Sequence, residues 1–395
     1  MNFEFKTHLH SSYLVLVLYF GNMKKTFFSF LSCFIFITSF AQKNSKALPF
    51  NADSVLDIMH RVADWQLDSY AKGFRHPKYD WTNAAAYTGL MELANLNNDK
   101  TYLDFLVGIG NELKWNTGPR RFHADDYCIA QTYAKLYMIY REKEMIEPFK
   151  ALADSIIAQP HTESLEWKNN IANREWAWCD ALFMGPPALA YLSKATGDQK
   201  YLDIATTLWK KTTDYLYDKS EHLYFRDQTF FDKKENNGMK VFWSRGNGWV
   251  LAGLVRVLEN MPENYPERKK FEKLYKDMAK RIAGLQQPDG SWHASLLDPA
   301  SYPIRETSGT GFYAYSIMWG INHKLLKAKK YLPVVEKAWN ALTSCVHPDG
   351  MLGYVQQIGA APASTNENST EVYGVGSFLL TGTELYKFLQ NRERR

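Results

Sequence analysis

Residues 311–323 read GFYAYSIMWGINH, where apolar and small side chains leave no polar face at helical spacing. A helix that is apolar all round belongs in an interior, and one with a charged face belongs at a surface. Stretches of the same interior character recur at roughly 82–95, 127–140, 181–195, 248–260 and 374–389. Amphipathic, charged stretches alternate with them at roughly 53–70, 101–114, 144–158, 200–216, 267–285 and 331–344. Strict alternation of six and six predicts six hairpins, an inner ring of helices wrapped by an outer one. That architecture is all-α, an (α/α)6 barrel. Near-repeats agree with it: NNDKTYLDF at 97–105, TGDQKYLDI at 196–204 and KAKKYLPVV at 327–335 each open an expected outer helix.

If neighbouring helices run antiparallel, every inner helix starts at the same end of the barrel. The residues before those starts are Asp80 and Trp81, then 123–126 (HADD), 178–180 (WCD), 243–247 (WSRGN), 307–310 (TSGT) and 368–371 (NSTE). Helix capping accounts for Asp126, Asn247, Thr310 and Ser369. It does not account for the Trp and Arg residues among them. Aromatic faces beside hydrogen-bonding groups suit sugar rings, while helix N-termini and Arg245 suit an anion, so the cluster points to an acidic sugar.

Within this cluster, EWAWCDALFMGPP at 175–187 sets Asp180 among Trp176, Trp178, Phe183 and Met184. A lone buried carboxylate is costly unless it is paired or protonated. As a bland alternative, Asp180 caps a helix starting near Pro186. As a functional group, it joins Asp125 or Asp126 in acid/base chemistry, with a pKa raised by apolar surroundings and by the neighbouring negative charge. Cys179 reads as a small core thiol, since no His is placed by sequence to activate it. His123 reads equally as a second base or a rim histidine, His222 and His293 as surface residues, and Glu175 as a solvated charge ahead of the aromatic block. Trp292 reads as packing for a turn.

The net charge of +5 is mild and its Lys and Arg residues are scattered, which gives no footprint for nucleic acid. No His/Cys spacing suits a metal and no Gly-rich loop suits a nucleotide, so neither a metal nor a cofactor is expected. Met23-Lys24-Lys25 followed by FFSFLSCFIFITSFA at 27–41 has the basic start, short apolar run and small-residue end of a secretory signal. Residues 1–41 are therefore expected to be a signal segment, with the signal proper at 23–41 and a doubtful upstream start before it. Residues 42–395 form one barrel domain in an exported protein, periplasmic or secreted, with no membrane contact after signal removal. Cys128, Cys179 and Cys345, the cysteines left in the mature chain, are too few and too odd for a disulfide framework.

The segments WAWCDALFM, WSRGNGW, ETSGTGFYAYSIMWGIN and EVYGVGSFLLTGTELY together resemble the unsaturated rhamnogalacturonyl hydrolases of glycoside hydrolase family 105, related to the unsaturated glucuronyl hydrolases. The resemblance covers essentially the whole mature chain. It implies an (α/α)6 barrel without metal or cofactor that acts on acidic oligosaccharides left by polysaccharide lyases. Such enzymes remove a 4,5-unsaturated uronic acid from the non-reducing end: the enol ether is protonated at C4, water adds at C5, and the hemiketal opens and releases the rest of the chain. By resemblance Asp180 is the general acid/base and Asp125 the second carboxylate, with Asp126 its rival in the DD pair. Trp178, Trp243, Arg245 and Trp249 fall on substrate-pocket positions, and His123 and Ser308 are further binding candidates. Where the family pattern has a His, this chain reads LYFRDQTFF at 223–231, which places Arg226 there and leaves room for ulvan or another lyase product as the polymer. Two other readings stand beside this one, a non-catalytic sugar-binding barrel and a glycosidase for saturated sugars.

Overall fold

A computed structural model describes residues 50–393; the expected signal segment lies outside the described residues. Helices α1 (Ala52–Lys72), α3 (Lys100–Glu112), α5 (Glu147–Ala158), α7 (Lys200–Leu216), α9 (Arg268–Ala283) and α11 (Ala328–Thr343) alternate along the chain with a second set. That set is α2 (Trp81–Asn97), α4 (Ala130–Tyr140), α6 (Ala181–Thr196), α8 (Ser244–Asn260), α10 (Thr307–Asn322) and α12 (Val372–Glu393). The even-numbered helices close a ring, each packing on the next and α12 returning to α2. Odd-numbered helices lie outside, with α3 against α2, α7 against α6, α9 against α8, α11 against α10 and α1 against α12. The expected (α/α)6 barrel is the observed fold.

Burial follows the sequence pattern. Every residue of α10 from Thr307 through Ile321 is buried, whereas α9 buries only Phe271, Tyr275, Met278, Ala279 and Ile282, one stripe at helical spacing. Where α2 meets α12 the backbones touch. A Cβ at Gly376 would stand 2.3 Å from the Ala85 carbonyl oxygen, and one at Gly89 would stand 2.6 Å from that of Gly376. Two of the three near-repeats also gain a reason. Tyr102 of α3 donates to Asp64 of α1 at 2.7 Å and Tyr201 of α7 donates to Asp154 of α5 at 3.0 Å, so a tyrosine early in the helix ties it to the preceding outer helix.

Several local expectations are corrected. α6 begins at Ala181, so Pro186 and Pro187 lie inside it rather than at its start. Pro187 has no N–H for the carbonyl four residues back, Phe183 O, and Gln131 of α4 fills that place with its Nε2 at 2.8 Å. The inner helix expected from 248 begins at Ser244, which draws Arg245 and Asn247 into its first turn. Asn247 there binds both the amide and the carbonyl of Tyr224 instead of capping. At α10 the cap is Glu306, whose carboxylate accepts from the amides of Ser308 and Gly309, and not Thr310. Ser369 bonds Asn366 within its own loop. Glu175, expected to be solvated, is 2% exposed and paired with Lys211 at 2.8 Å.

Candidate active site

At the end of the barrel where the inner helices begin, a cavity of about 170 Å³ is lined by Trp81, Asp125, Trp178, Asp180, Met184, Arg226, Trp243, Ile358 and Gly359. That volume lies below the roughly 300–1,000 Å³ typical of pockets for drug-sized ligands, so it accommodates a single small ring. Asp180 stands at the head of α6 with helical backbone angles and makes no side-chain cap bond. Its Oδ2 lies 3.6 Å from Arg226 Nε and 3.6 Å from the Cys179 thiol. Burial pushes its carboxyl above the ordinary value against the opposing pull of Arg226 and Arg245.

Asp125 sits in a short 3-10 turn, Ala124–Tyr127, ahead of α4. Burial pushes its carboxyl up to about 8, Arg120 opposes this, and the negative charges of Asp180 and Asp126 add to it. His123 ends the approach to that turn. Its Nδ1 accepts from the Asp125 amide at 3.3 Å, which leaves Nε2 as the protonated nitrogen of the neutral ring. Burial, reinforced by Arg120, holds its pKa at about 4.

Arg226 brings a cation to the cavity. Its Nη1 donates to Asp227 at 2.6 Å, its guanidinium lies 4.7 Å over the Trp167 ring, and its Nε is buried without a hydrogen-bond partner. The Arg226 carbonyl accepts from the Cys179 amide at 2.8 Å, which ties the segment to the head of α6. Three tryptophans, two carboxyls of raised pKa and a guanidinium with an unused donor form a site chemically suited to acid/base work on a small acidic ring.

The sequence model of Glycosyl Hydrolase Family 88 matches residues 58–389. The chain belongs to glycosyl hydrolase family 88. It is similar to an unsaturated 3S-rhamnoglycuronyl hydrolase from Formosa agariphila, 41% identical across 78% of this chain and 84% of that protein. A solved glycosyl hydrolase family 88 structure from Bacteroides vulgatus is 32% identical with a TM-score of 0.77, covering 86% of this chain and 100% of its own. Another solved structure, described as a polysaccharide lyase, is 33% identical with a TM-score of 0.78 over 86% of this chain and 98% of its own. The motif resemblance thus leads to the same group of glycoside hydrolases through family 88.

Of the residues singled out from sequence, this family 88 chain brings Asp180, Asp125, Trp178, Arg226 and Trp243 onto one cavity. Asp126 is not among its lining residues: Arg120 clasps it through Nε at 3.0 Å, through Nη2 and through its backbone amide at 2.6 Å. Ser308 is fully buried and donates to Glu306 at 2.6 Å. Trp249 is buried behind the cavity, packing its ring against Trp81, Phe183, Phe312 and Tyr373. Arg245 is 1% exposed, with Nη1 and Nη2 donating to the carbonyls of Gln356 and Gln357 at 2.8 and 3.0 Å. Its guanidinium lies over the rings of Trp243 and Tyr373, at 4.4 and 4.9 Å. It braces the loop that carries Ile358 and Gly359. Those two residues were missed from sequence, because a loop without periodicity announces neither its path nor its contacts. Trp81 was visible in the cluster of helix starts, and only its place on the cavity was not.

Proposed function

We propose that this family 88 hydrolase removes a 4,5-unsaturated uronic acid from the non-reducing end of oligosaccharides made by polysaccharide lyases, by hydrating the ring double bond. Asp180 acts as general acid and then general base, Asp125 is the second carboxyl, and Trp178, Trp243 and Trp81 enclose the flat unsaturated ring. The observation that carries the reading is Asp180 itself, an acid at a helix head that makes no cap bond and lines an aromatic cavity with a second raised carboxyl.

Arg226 is the cation available to the uronate carboxylate, through the Nε that has no partner. When the carboxylate engages it, Arg226 stops holding Asp180 down, and a new negative charge stands beside the acid. Both effects raise the Asp180 pKa, so substrate binding loads the proton that the reaction consumes. The proton passes to C4, the double-bond electrons form the C4–H bond, and the positive charge at C5 is shared with the ring oxygen. Water adds at C5 and returns a proton to Asp180. The hemiketal then opens, and C1 releases the leaving sugar as an alcohol.

The similarity to a 3S-rhamnoglycuronyl hydrolase favours an unsaturated uronate joined to a rhamnose-type sugar, and we rank ulvan-type lyase products ahead of rhamnogalacturonan. We also propose that the chain is exported, with its mature N-terminus near Gln42; N-terminal sequencing of the exported protein checks this, and retention of residues 23–40 overturns it. The similarity to a structure described as a polysaccharide lyase favours a second reading, in which the site creates unsaturation rather than consuming it. One assay separates the two. With unsaturated disaccharides the hydrolase removes the conjugated ultraviolet absorbance, while a lyase acting on the parent polymer makes it grow. Hydration in heavy water should also place deuterium at C4 of the released sugar, and product without it, when protected from later exchange, removes Asp180 from the acid role.

A further inference from the structure

The net charge of the chain is mild, but one helix concentrates it. α9 carries seven basic side chains against Glu272 and Asp277, a surplus as large as the +5 of the whole chain. Lys269, Lys273, Lys276 and Lys280 are exposed at successive spacings of four, three and four, so they form a row about 16 Å long on the outer face of this outer helix. Beside the row opens a cavity of about 360 Å³. Lys270, Lys273, Leu274 and Asp277 of α9 line one side of it, and Tyr217, Lys219 and His222 of a hairpin line the other. None of these residues lines the catalytic cavity.

The hairpin is held in place against α9. Its strands, Tyr217–Asp218 and Leu223–Tyr224, pair antiparallel, and Glu221 in its turn is bound by Arg281 of α9. The Tyr217 ring packs on that of Tyr224 at 5.0 Å, and its hydroxyl hydrogen-bonds His222 Nδ1 at 3.0 Å. Tyr217 and Leu274 thus give the cavity an apolar floor, and lysines give it a cationic rim. A sugar ring that bears acidic groups has matching chemistry, an apolar C–H face with anionic edges. Lys219, Lys269 and Lys280 make no ion pair among the described residues. Lys270 pairs with Glu267 at 2.9 Å and Lys273 with Asp277, and exposed pairs of this kind contribute little and exchange for another anion. The cations on the cavity are lysines, mobile point charges rather than planar forks matched to one phosphate, which suits acidic groups repeated along a flexible chain.

We propose that this cavity and the lysine row beside it form a docking surface on the outer wall of the barrel for an acidic polysaccharide, the polymer whose lyase fragments the enzyme consumes. The choice of that polymer rests on the proposed function. The test is affinity electrophoresis in native gels that contain intact ulvan, which has no unsaturated ends to occupy the catalytic cavity, or uncharged dextran. Wild type should be retarded by ulvan and not by dextran, and less strongly as salt is raised. The triple variant Lys219→Gln, Lys270→Gln, Lys273→Gln should raise Kd for ulvan about tenfold, while its kcat/KM on an unsaturated disaccharide stays at the wild-type value and so reports an intact fold. A control removes the same charge from exposed lysines on the turn before α11 and at the start of that helix, Lys324→Gln, Lys327→Gln, Lys329→Gln, and should keep most of the retardation. Equal losses in the two triple variants mean attraction by bulk charge alone and overturn the docking surface, as does a wild type that ulvan does not retard. Tighter binding to duplex DNA or to phosphatidylglycerol vesicles at the same ionic strength overturns the assignment to a polysaccharide. Wild-type enzyme that ulvan retards but that leaves the disaccharide untouched supports the docking surface and overturns the proposed function.

Discussion

A carboxylic acid at the head of a helix can accept from the free amides of the first turn, or it can face away and keep its proton. Asp80 does the former, accepting from the Thr82 amide at 2.9 Å, whereas Asp180 makes no cap bond and burial raises its pKa. Asp180→Asn should therefore not lower the melting temperature, while costing about 10²–10⁴-fold in kcat, the usual worth of a placed general acid. An active Asn variant would return the acid role to another group. The carboxyls titrate as a pair, and the reaction needs one proton held and one accepting oxygen. With Asp125 pushed up to about 8, the pair keeps its proton through neutrality and loses it as pH rises further, so kcat/KM should fall on the alkaline side near pH 8. A profile flat to pH 9.5 would place the proton elsewhere. Arg226→Lys keeps the charge and loses the planar fork, which should raise KM by roughly 10–100-fold, as expected for a charge-assisted hydrogen bond of about 1.5–3 kcal/mol. Sequence located Asp180, with Asp125 or Asp126, because acid and aromatic neighbours stood together at helix starts, while the preference for Asp125 and the place of Arg226 came from the family resemblance. It could not tell that Arg120 occupies Asp126, that Glu306 occupies Ser308, or that Arg245 holds loop carbonyls, since each depends on a partner distant in space or a choice among nearby acceptors.

At the scale of elements, the alternation of apolar and charged stretches was legible because burial on all sides leaves no other composition open to an inner helix. Helix ends were less legible. The proline pair in α6 reads as a start signal, yet it lies inside the helix because α4 supplies the missing bond. Gln131 donates to Phe183 O and accepts from Arg256 Nε at 2.6 Å, so one amide joins α4, α6 and α8. Gln131→Leu should leave a buried carbonyl and a buried guanidinium N–H unpaired and cost about 1–3 kcal/mol for each, measured by urea unfolding. The backbone contact of α2 with α12 makes a separate demand. Gly376→Ala should destabilise by about 1–3 kcal/mol or more, since the added carbon meets a main-chain oxygen that cannot rotate away. Wild-type stability in either variant would mean that the inner helices have freedom to shift.

Across the whole molecule the two ends of the barrel handle charge in opposite ways. Glu92 lies eleven residues beyond Trp81 in α2, about 16 Å along the axis from the end that holds the site. There it pairs with Lys135 and with Arg256 at 3.4 Å, and Lys135, Arg256 and Lys387 together bring its pKa down to about 2 against the burial that pushes it up. At the site end, burial drives Asp125 the other way, to about 8. The two groups therefore act on stability with opposite sign. Glu92 binds its proton less readily folded than unfolded, so its contribution is complete above about 4.5 and is lost as pH falls toward 2. Asp125 binds its proton more readily folded, so stability declines as pH rises from its ordinary 3.8 toward 8. Buried His123, with its pKa lowered to about 4, gains stability as pH rises to 6.5 and offsets Asp125 over that range, so the melting temperature should fall in acid and again above about pH 6.5. Glu92→Gln should lessen the acid-side decline, which Asp218 and His123 share, while leaving a cost at neutral pH because Lys135 and Arg256 stay buried with less countercharge. Asp125→Asn should match wild type near pH 4 and exceed it at pH 8, because the variant no longer has to hold a buried carboxyl that resists ionisation. Thermal melts of the three proteins from pH 3 to pH 9 test both signs at once. An Asp125→Asn variant that is less stable than wild type at pH 8 would show that the site favours the ionised form of Asp125, and the alkaline fall in kcat/KM expected near pH 8 would then have to come from a different group.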